Sequence, residues 1–150
     1  MNIDYFMNKA FFEAKKGLNC NEVPVGGIIV DNESKEILAR GHNLTNKLNN
    51  AINHCEILLI NEACKKLNSK YLLNSTLFIT LEPCIMCAAA ISEVHLGKVY
   101  FGAYDDKYGG LERLSSFYKK KNNFLPEIYG GINEKNIKLL LKKFFKKARS

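Results

Sequence analysis

The spacing of apolar residues changes period along this 150-residue chain, and each period predicts an element. Ile3, Phe6, Met7, Ala10, Phe11 and Ala14 recur at helical spacing, which predicts an amphipathic helix over 3–16 ended by Gly17. EVPVGGIIV and ESKEILARGHN read as two strands about a turn at Asp31–Ser34. Residues 54–67 have the length and composition of a helix, and STLFIT at 75–80 is rich in β-formers. CIMCAAAISEVHL reads as a helix that stops at Gly97, and KVYFGA at 98–103 as the next strand. DDKYGGLERLSSFYKKKNN reads as an irregular connection with room for a helical turn, and LPEIYGGI can hold a short strand. The last helix covers 134–148, with Ile137, Leu140, Leu141, Phe144 and Ala148 inward and Lys135, Lys138, Lys142 and Lys146 outward. One of Phe144 and Phe145 is free to stack on a base, with Phe144 read as the packing residue. Strands alternating with helices predict an α/β protein, a sheet covered by helices. There is no internal repeat, linker or low-complexity break, so residues 1–150 read as one domain.

Composition narrows the class. With 47% hydrophobic and 25% charged residues the chain is ordinary for a globular protein. A domain of this length buries roughly 70% of its unfolded surface, so it needs no disulfides to fold. No apolar run approaches the roughly 20 residues that span a bilayer. The N-terminal segment has Asp4 early and helical spacing, unlike a signal peptide. No glycine follows Met1 to accept a myristoyl chain, and no prenylation box is present. A cytoplasmic protein with no membrane partner is expected. The five cysteines, an odd number without a secretion signal, argue for reduced thiols whose spacing should be read for metal or catalysis. Cys20 and Cys64 read as buried apolar positions. The net charge of +7 is uneven: residues 119–150 carry +8 and the rest −1. That concentration is the footprint of a surface that meets phosphates, although a Lys-rich helix can serve solubility alone.

Two short stretches carry chemistry. NHCE at 53–56 holds His54 and Glu56, and EPCIMC at 82–87 holds Cys84 and Cys87. A helix over 54–67 runs out about 20 Å and a strand over 75–81 returns about the same distance, bringing Cys84 near His54. Pro83 suits the start of the next helix, so two helix N-termini meet there. Cys84 and Cys87, three apart, share a helix face, and a helix N-terminus favours the thiolate. One imidazole and two thiolates make three zinc ligands, and a catalytic zinc site leaves its fourth position to water. Cys55 points about a third of a helical turn from His54, and His42 and His95 read as structural. Glu56, beside the metal but not bound to it, has the place of a proton carrier. Glu82 has either a supporting role behind the metal ligands or, the favoured reading, a strand-end place without a metal role. Alone, Cys-x-x-Cys or His-x-Glu is a weak signal; both in order, with Pro before the first Cys and a strand between, are strong.

The pattern His-x-Glu followed by Pro-Cys-x-x-Cys resembles that of the zinc-dependent nucleobase deaminases. Within them the chain resembles the bacterial tRNA-specific adenosine deaminases over nearly its whole length. EVPVGGIIV, GHN, HCE, LFITLEPCIMCAAAI, KVYFGAYDDKYGG and LLLKKFFKKAR match in order. The resemblance implies a three-layer α/β/α cytidine-deaminase-like fold with a mixed five-stranded sheet. It implies one Zn2+ per subunit on His54, Cys84 and Cys87, and Glu56 as general acid/base. It places Asn43 against the flipped base, where an amide offers both donor and acceptor; alone, Asn43 would read as a turn residue. It implies a homodimer acting on tRNA, hydrolysing the wobble adenosine of an arginine tRNA anticodon to inosine. Zinc hydroxide attacks C6 in that reaction and Glu56 shuttles protons. The last helix would meet the anticodon loop through Lys135, Lys138, Lys142, Lys146 and Arg149. Three departures stand out: Cys55 replaces the usual Ala, Asn50–Asn53 replace Asp-Pro-Thr-Ala, and LERLSS follows DDKYGG. The first puts a soft, oxidisable thiol near the zinc, and the other two fall at the substrate rim. Two other readings share parts of the pattern. A deaminase of a free base or nucleoside, of the guanine or cytosine type, would gain little from the basic tail. A non-catalytic zinc- and RNA-binding subunit would not need Glu56.

Overall fold

A computed structural model describes residues 1–111 and 123–149. Helix α1 (Ile3–Asn19) is followed by strands β1 (Gly26–Asp31) and β2 (Ile37–His42), helix α2 (Cys55–Leu67) and strand β3 (Ser75–Leu81). Helix α3 (Ile85–Glu93), strands β4 (Lys98–Ala103) and β5 (Glu127–Tyr129), and helix α4 (Glu134–Arg149) complete the order. The sheet runs β2-β1-β3-β4-β5. β1 is antiparallel to both β2 and β3, whereas β3–β4 and β4–β5 are parallel. This is the mixed five-stranded sheet that the resemblance implied.

The strand period of two divides the core into two layers. Ile28, Val30, Phe78 and Tyr100 face one side, where Phe6, Met7 and Ala10 of α1 and Ile137 of α4 cover them. Ile29, Leu77, Ile79, Val99 and Phe101 face the other, beneath Leu59, Ile60 and Ala63 of α2 and Ala88 and Ile91 of α3. Both faces are covered, which is why β1 and β3 read as continuous apolar runs and not as alternating ones. Each such side chain stabilises the fold by about 1.5–3 kcal/mol through burial. The result is the expected three-layer α/β/α arrangement, with the N-termini of α2 and α3 at the carboxyl end of β3.

Several element ends differ from expectation. α1 continues past Gly17 to Asn19, and Asn21, at φ 59°, reverses the chain. Gly17 permits close approach: a Cβ there would lie 3.2 Å from that of His42. α3 stops at Glu93, short of Gly97, with His95 at φ 52°. The His95 ring stacks between Tyr71 at 4.5 Å and Phe124 at 4.8 Å, the structural role expected of it. Cys20 is exposed and not buried, because it is the C-cap of α1 on an outer turn; Cys64 is half-buried. Along α4 Ile137 is buried, Leu140, Leu141 and Phe144 are partly so, and Ala148 is exposed, because the last turn extends beyond the sheet that would cover it. Most of the connection after Tyr108, from 112 to 122 and including the altered 112–116 positions, lies outside the described residues. Among the described residues no helix is long and apolar enough to cross a membrane.

Candidate active site

Two helix starts built alike face each other at the end of β3. His54 is the N-cap of α2 and Cys84 the N-cap of α3, both with extended backbone and neither using its side chain to cap its own helix. Their side chains are therefore free to point into the gap between the helices. Cys87, one turn into α3, joins them from the same face. His54 Nδ1 lies 3.6 Å from Cys84 Sγ and 3.5 Å from Cys87 Sγ. Zinc bonds of about 2.1 Å to nitrogen and 2.3 Å to sulfur, at a tetrahedral angle, place the two atoms about 3.6 Å apart. The donor set and its separations thus fit a zinc ion. Among the described residues no other group of three or more His, Cys, Asp or Glu side chains is arranged to hold a metal.

The electrostatics suit the same use. Cys84 is pulled down to about 5, chiefly by the hydrogen bond from the Cys87 thiol. Cys87 is pushed up correspondingly, first by that hydrogen bond and then by burial. The metal-free pair holds one proton between two sulfurs, and a dication would displace it by favouring both thiolates. Glu56, buried on the first turn of α2, is pushed up to about 7, mainly by burial and secondarily by the negative charge of Cys84. A carboxyl poised there can take and return a proton at neutral pH.

A cavity of about 390 Å³ opens over these groups, within the size range of small-molecule sites. His54, Glu56 and Cys84 form its chemical wall, and Val23, Val25 and Leu81 an apolar one. Asn43 also lines it, but its Oδ1 accepts the Cys55 backbone N–H at 2.8 Å. The α2 terminus thus takes one hydrogen bond to the oxygen that the resemblance had left to the base. Cys55 turns away from the metal cluster. Its thiol is buried and donates to Gly41 O at 3.2 Å, and burial, then the charges of Glu56 and Glu13, raises its pKa well above the usual thiol range. The expected oxidisable thiol is a neutral core group bonded to β2, because helical geometry sends it to the face opposite the cavity.

Asp105 and Tyr108 escaped the sequence reading, and Glu82 was read there only as a strand-end residue. Glu82 lines the cavity and accepts the Asp105 N–H at 3.1 Å, which sets the Asp105–Tyr108 turn beside it. Tyr108 and Phe145, exposed at 64% and 47%, line the same cavity. The adjacent pair Phe144–Phe145 was the visible signal for the second, and the structure assigns packing to Phe144 and the cavity to Phe145. Lys135, Lys138, Lys142 and Lys146 are exposed along α4, with Lys138 paired to Glu134 at 3.7 Å. His42 is outside the cluster; its Nδ1 lies 2.9 Å from Asn43 O.

Comparison with known proteins agrees with this geometry. Residues 1–103 match the family model for the cytidine and deoxycytidylate deaminase zinc-binding region. The tRNA-specific adenosine deaminase of Rickettsia bellii is 44% identical over 144 residues, covering 95% of this chain and 99% of that protein. Its counterpart in Aquifex aeolicus is 40% identical over 152 residues, covering 100% and 98%. A solved structure from a study of A-to-I editing by tRNA:A34 deaminases superposes with a TM-score of 0.84 at 36% identity, covering 91% of this chain and 98% of that one. A guanine deaminase from Nitrosomonas europaea shares the fold, with a TM-score of 0.80 at 17% identity.

Proposed function

This chain belongs to the tRNA-specific adenosine deaminases, and from that premise we propose that it converts the wobble adenosine of an arginine tRNA anticodon to inosine. The observation that carries the reading is the zinc-fitting triangle of His54, Cys84 and Cys87 beside the buried carboxyl of Glu56. Zinc held by those three residues supplies a Lewis acid that makes an activated water available at neutral pH. Glu56 takes a proton from the water as it adds to C6 and delivers it to N1. Glu56, ionised again, then takes the proton of the new C6 hydroxyl and passes it to the amine, so that C6=O forms as the C–N bond breaks and ammonia leaves. Asn43 donates its amide N–H to an acceptor nitrogen of the flipped purine, and Val23, Val25 and Leu81 exclude water around it. Loop nucleotides are extruded at less cost than paired ones, which suits an anticodon target.

The basic face of α4 supports RNA over a free base as substrate. Phe145 carries that face into the cavity, between Lys142 and Lys146 in sequence. An exposed ring between cations is a stacking platform for an unpaired nucleotide. On an anticodon stem-loop, Phe145→Ala should raise KM about tenfold, from the roughly 1–3 kcal/mol of one stacked base. Lys142→Glu with Lys146→Glu should raise KM further and flatten its salt dependence. Neither change should alter zinc content. Unchanged KM in both variants would remove α4 from the RNA site. Turnover of a free base with none on RNA would favour a small-molecule deaminase.

A cytoplasmic homodimer with one zinc per subunit completes the reading. Ile85, Met86, Ala89 and Ala90 form an apolar outer stripe on α3, with Ile85 63% exposed, and a second copy would cover it. Sedimentation should give twice the 17.0 kDa chain mass, and Ile85→Lys should shift the protein toward monomer. A monomeric wild type would exclude the dimer.

A further inference from the structure

Glu22, at 0% exposure, is a fully buried carboxylate next in sequence to Val23 of the cavity wall. It is held by three donors from a single loop: Thr45 Oγ1 at 3.3 Å, Asn46 N–H at 3.1 Å and Lys47 N–H at 2.9 Å. That loop, 44–53, leaves the cavity wall at Asn43 and returns to it at His54. Its two ends are tied by the Leu44 N–H to Asn53 O bond at 3.1 Å. Its middle is exposed, with Leu48 at 51% and Ile52 at 55%. Burying a carboxylate is expensive unless donors satisfy it, and here all three come from one otherwise exposed loop that borders the cavity.

We propose that Glu22 is a positioning residue that preorders loop 44–53 as the rim against which the RNA docks. The proposal rests on the deaminase reading above. The ends of the loop have anchors of their own: Asn43 through Val25 O and the Cys55 N–H, His54 through the start of α2. Releasing Glu22 leaves the rim with the Asn46 Nδ2 bond to Asn21 O at 2.9 Å and its own internal turns, and so loosens it without dismantling the metal ligands or Glu56. The RNA must then order the loop as it binds, so the loss falls on KM and not on kcat.

The test is Glu22→Gln in the full-length, zinc-loaded protein, assayed for inosine on an anticodon stem-loop. Gln keeps the volume and one carbonyl oxygen but turns an N–H₂ toward the remaining loop donors. KM should rise about tenfold, with kcat within about threefold and zinc content unchanged. Amide exchange at Asn46 and Lys47 should accelerate while that at Cys55 stays as in wild type. Wild-type KM, or unchanged exchange at Asn46 and Lys47, would overturn the proposal, as would parallel loss of zinc and kcat. Should Glu22→Gln not fold, Thr45→Val removes one of the three contacts and leaves the carboxylate in place. An unchanged KM in that variant would overturn the proposal, and a KM raised about threefold would support it. Exchange is read without turnover. A wild-type protein that forms no inosine would therefore count against the deaminase reading alone, while the exchange data still decide whether Glu22 holds the loop.

Discussion

Replacing Glu56 by Gln should slow inosine formation on the anticodon stem-loop by on the order of a thousandfold while zinc stays bound. Gln fills the same space on the first turn of α2 but can neither take the proton from water nor return it to N1 and the leaving amine. None of His54, Cys84 and Cys87 is altered, so metal analysis should match wild type, and KM should change little. Turnover equal to wild type would show that Glu56 is not the proton carrier. A second readout isolates the same group in the metal-free protein. The folded-state pKa of Glu56, about 7, lies above its ordinary value of 4.5 because burial disfavours the charge. A raised pKa contributes stability that is fully present below 4.5 and is lost as pH rises through 7. Relative to Glu56→Gln, metal-free wild type should therefore lose about 3 kcal/mol of stability across that window. Cys84, whose pKa is lowered from 9.0 to about 5, changes in the opposite sense between those values and overlaps this window, so the comparison is made against the Gln variant. Denaturant melts of both proteins at several pH values check this, and parallel pH profiles would contradict the buried-carboxyl picture.

Cys87→Ser should abolish zinc retention and activity together. The thiol is fully buried in the first turn of α3 and supplies one of only two soft donors, 3.5 Å from His54 Nδ1. A Ser oxygen sits closer to its own Cβ, is a hard donor and does not ionise at neutral pH, so the remaining pair cannot hold the ion against dialysis. Metal content should fall from about one per chain to near none, and the melting temperature should no longer rise on adding zinc, since ligand binding to the native state is the source of that rise. Cys55→Ala is the matched control. Its thiol bonds Gly41 O on the opposite face of α2, so zinc content should be retained. Zinc loss in Cys55→Ala with retention in Cys87→Ser would mean that a different set of thiols binds the metal.

The candidate site was legible in the sequence to an unusual depth because its groups sit at element ends. Helix and strand rise per residue are nearly constant, so a helix of about 13 residues and a strand of about 7 cancel in length and return Cys84 to His54. The continuous β-rich runs of β1 and β3 and the helical spacing in α1 were equally readable, since a strand buried on both faces is apolar throughout and a helix repeats one backbone geometry. Misreadings came where a residue type has two uses. Gly17 looked like a helix stop but serves close packing against His42, and Cys20 looked like core but caps an outer turn.

The sequence by itself determined the alternation of elements and the His54, Glu56, Cys84 and Cys87 pattern, because both are local spacings along one chain. Only the tertiary structure decided that the Asn43 carbonyl accepts from the start of α2, that Phe145 and not Phe144 lines the cavity, and that Cys55 faces the core. It also decided that Glu22 holds a loop more than twenty residues away. Each of these depends on the direction of a side chain relative to an element from a distant part of the sequence, and no periodicity within a segment encodes that direction.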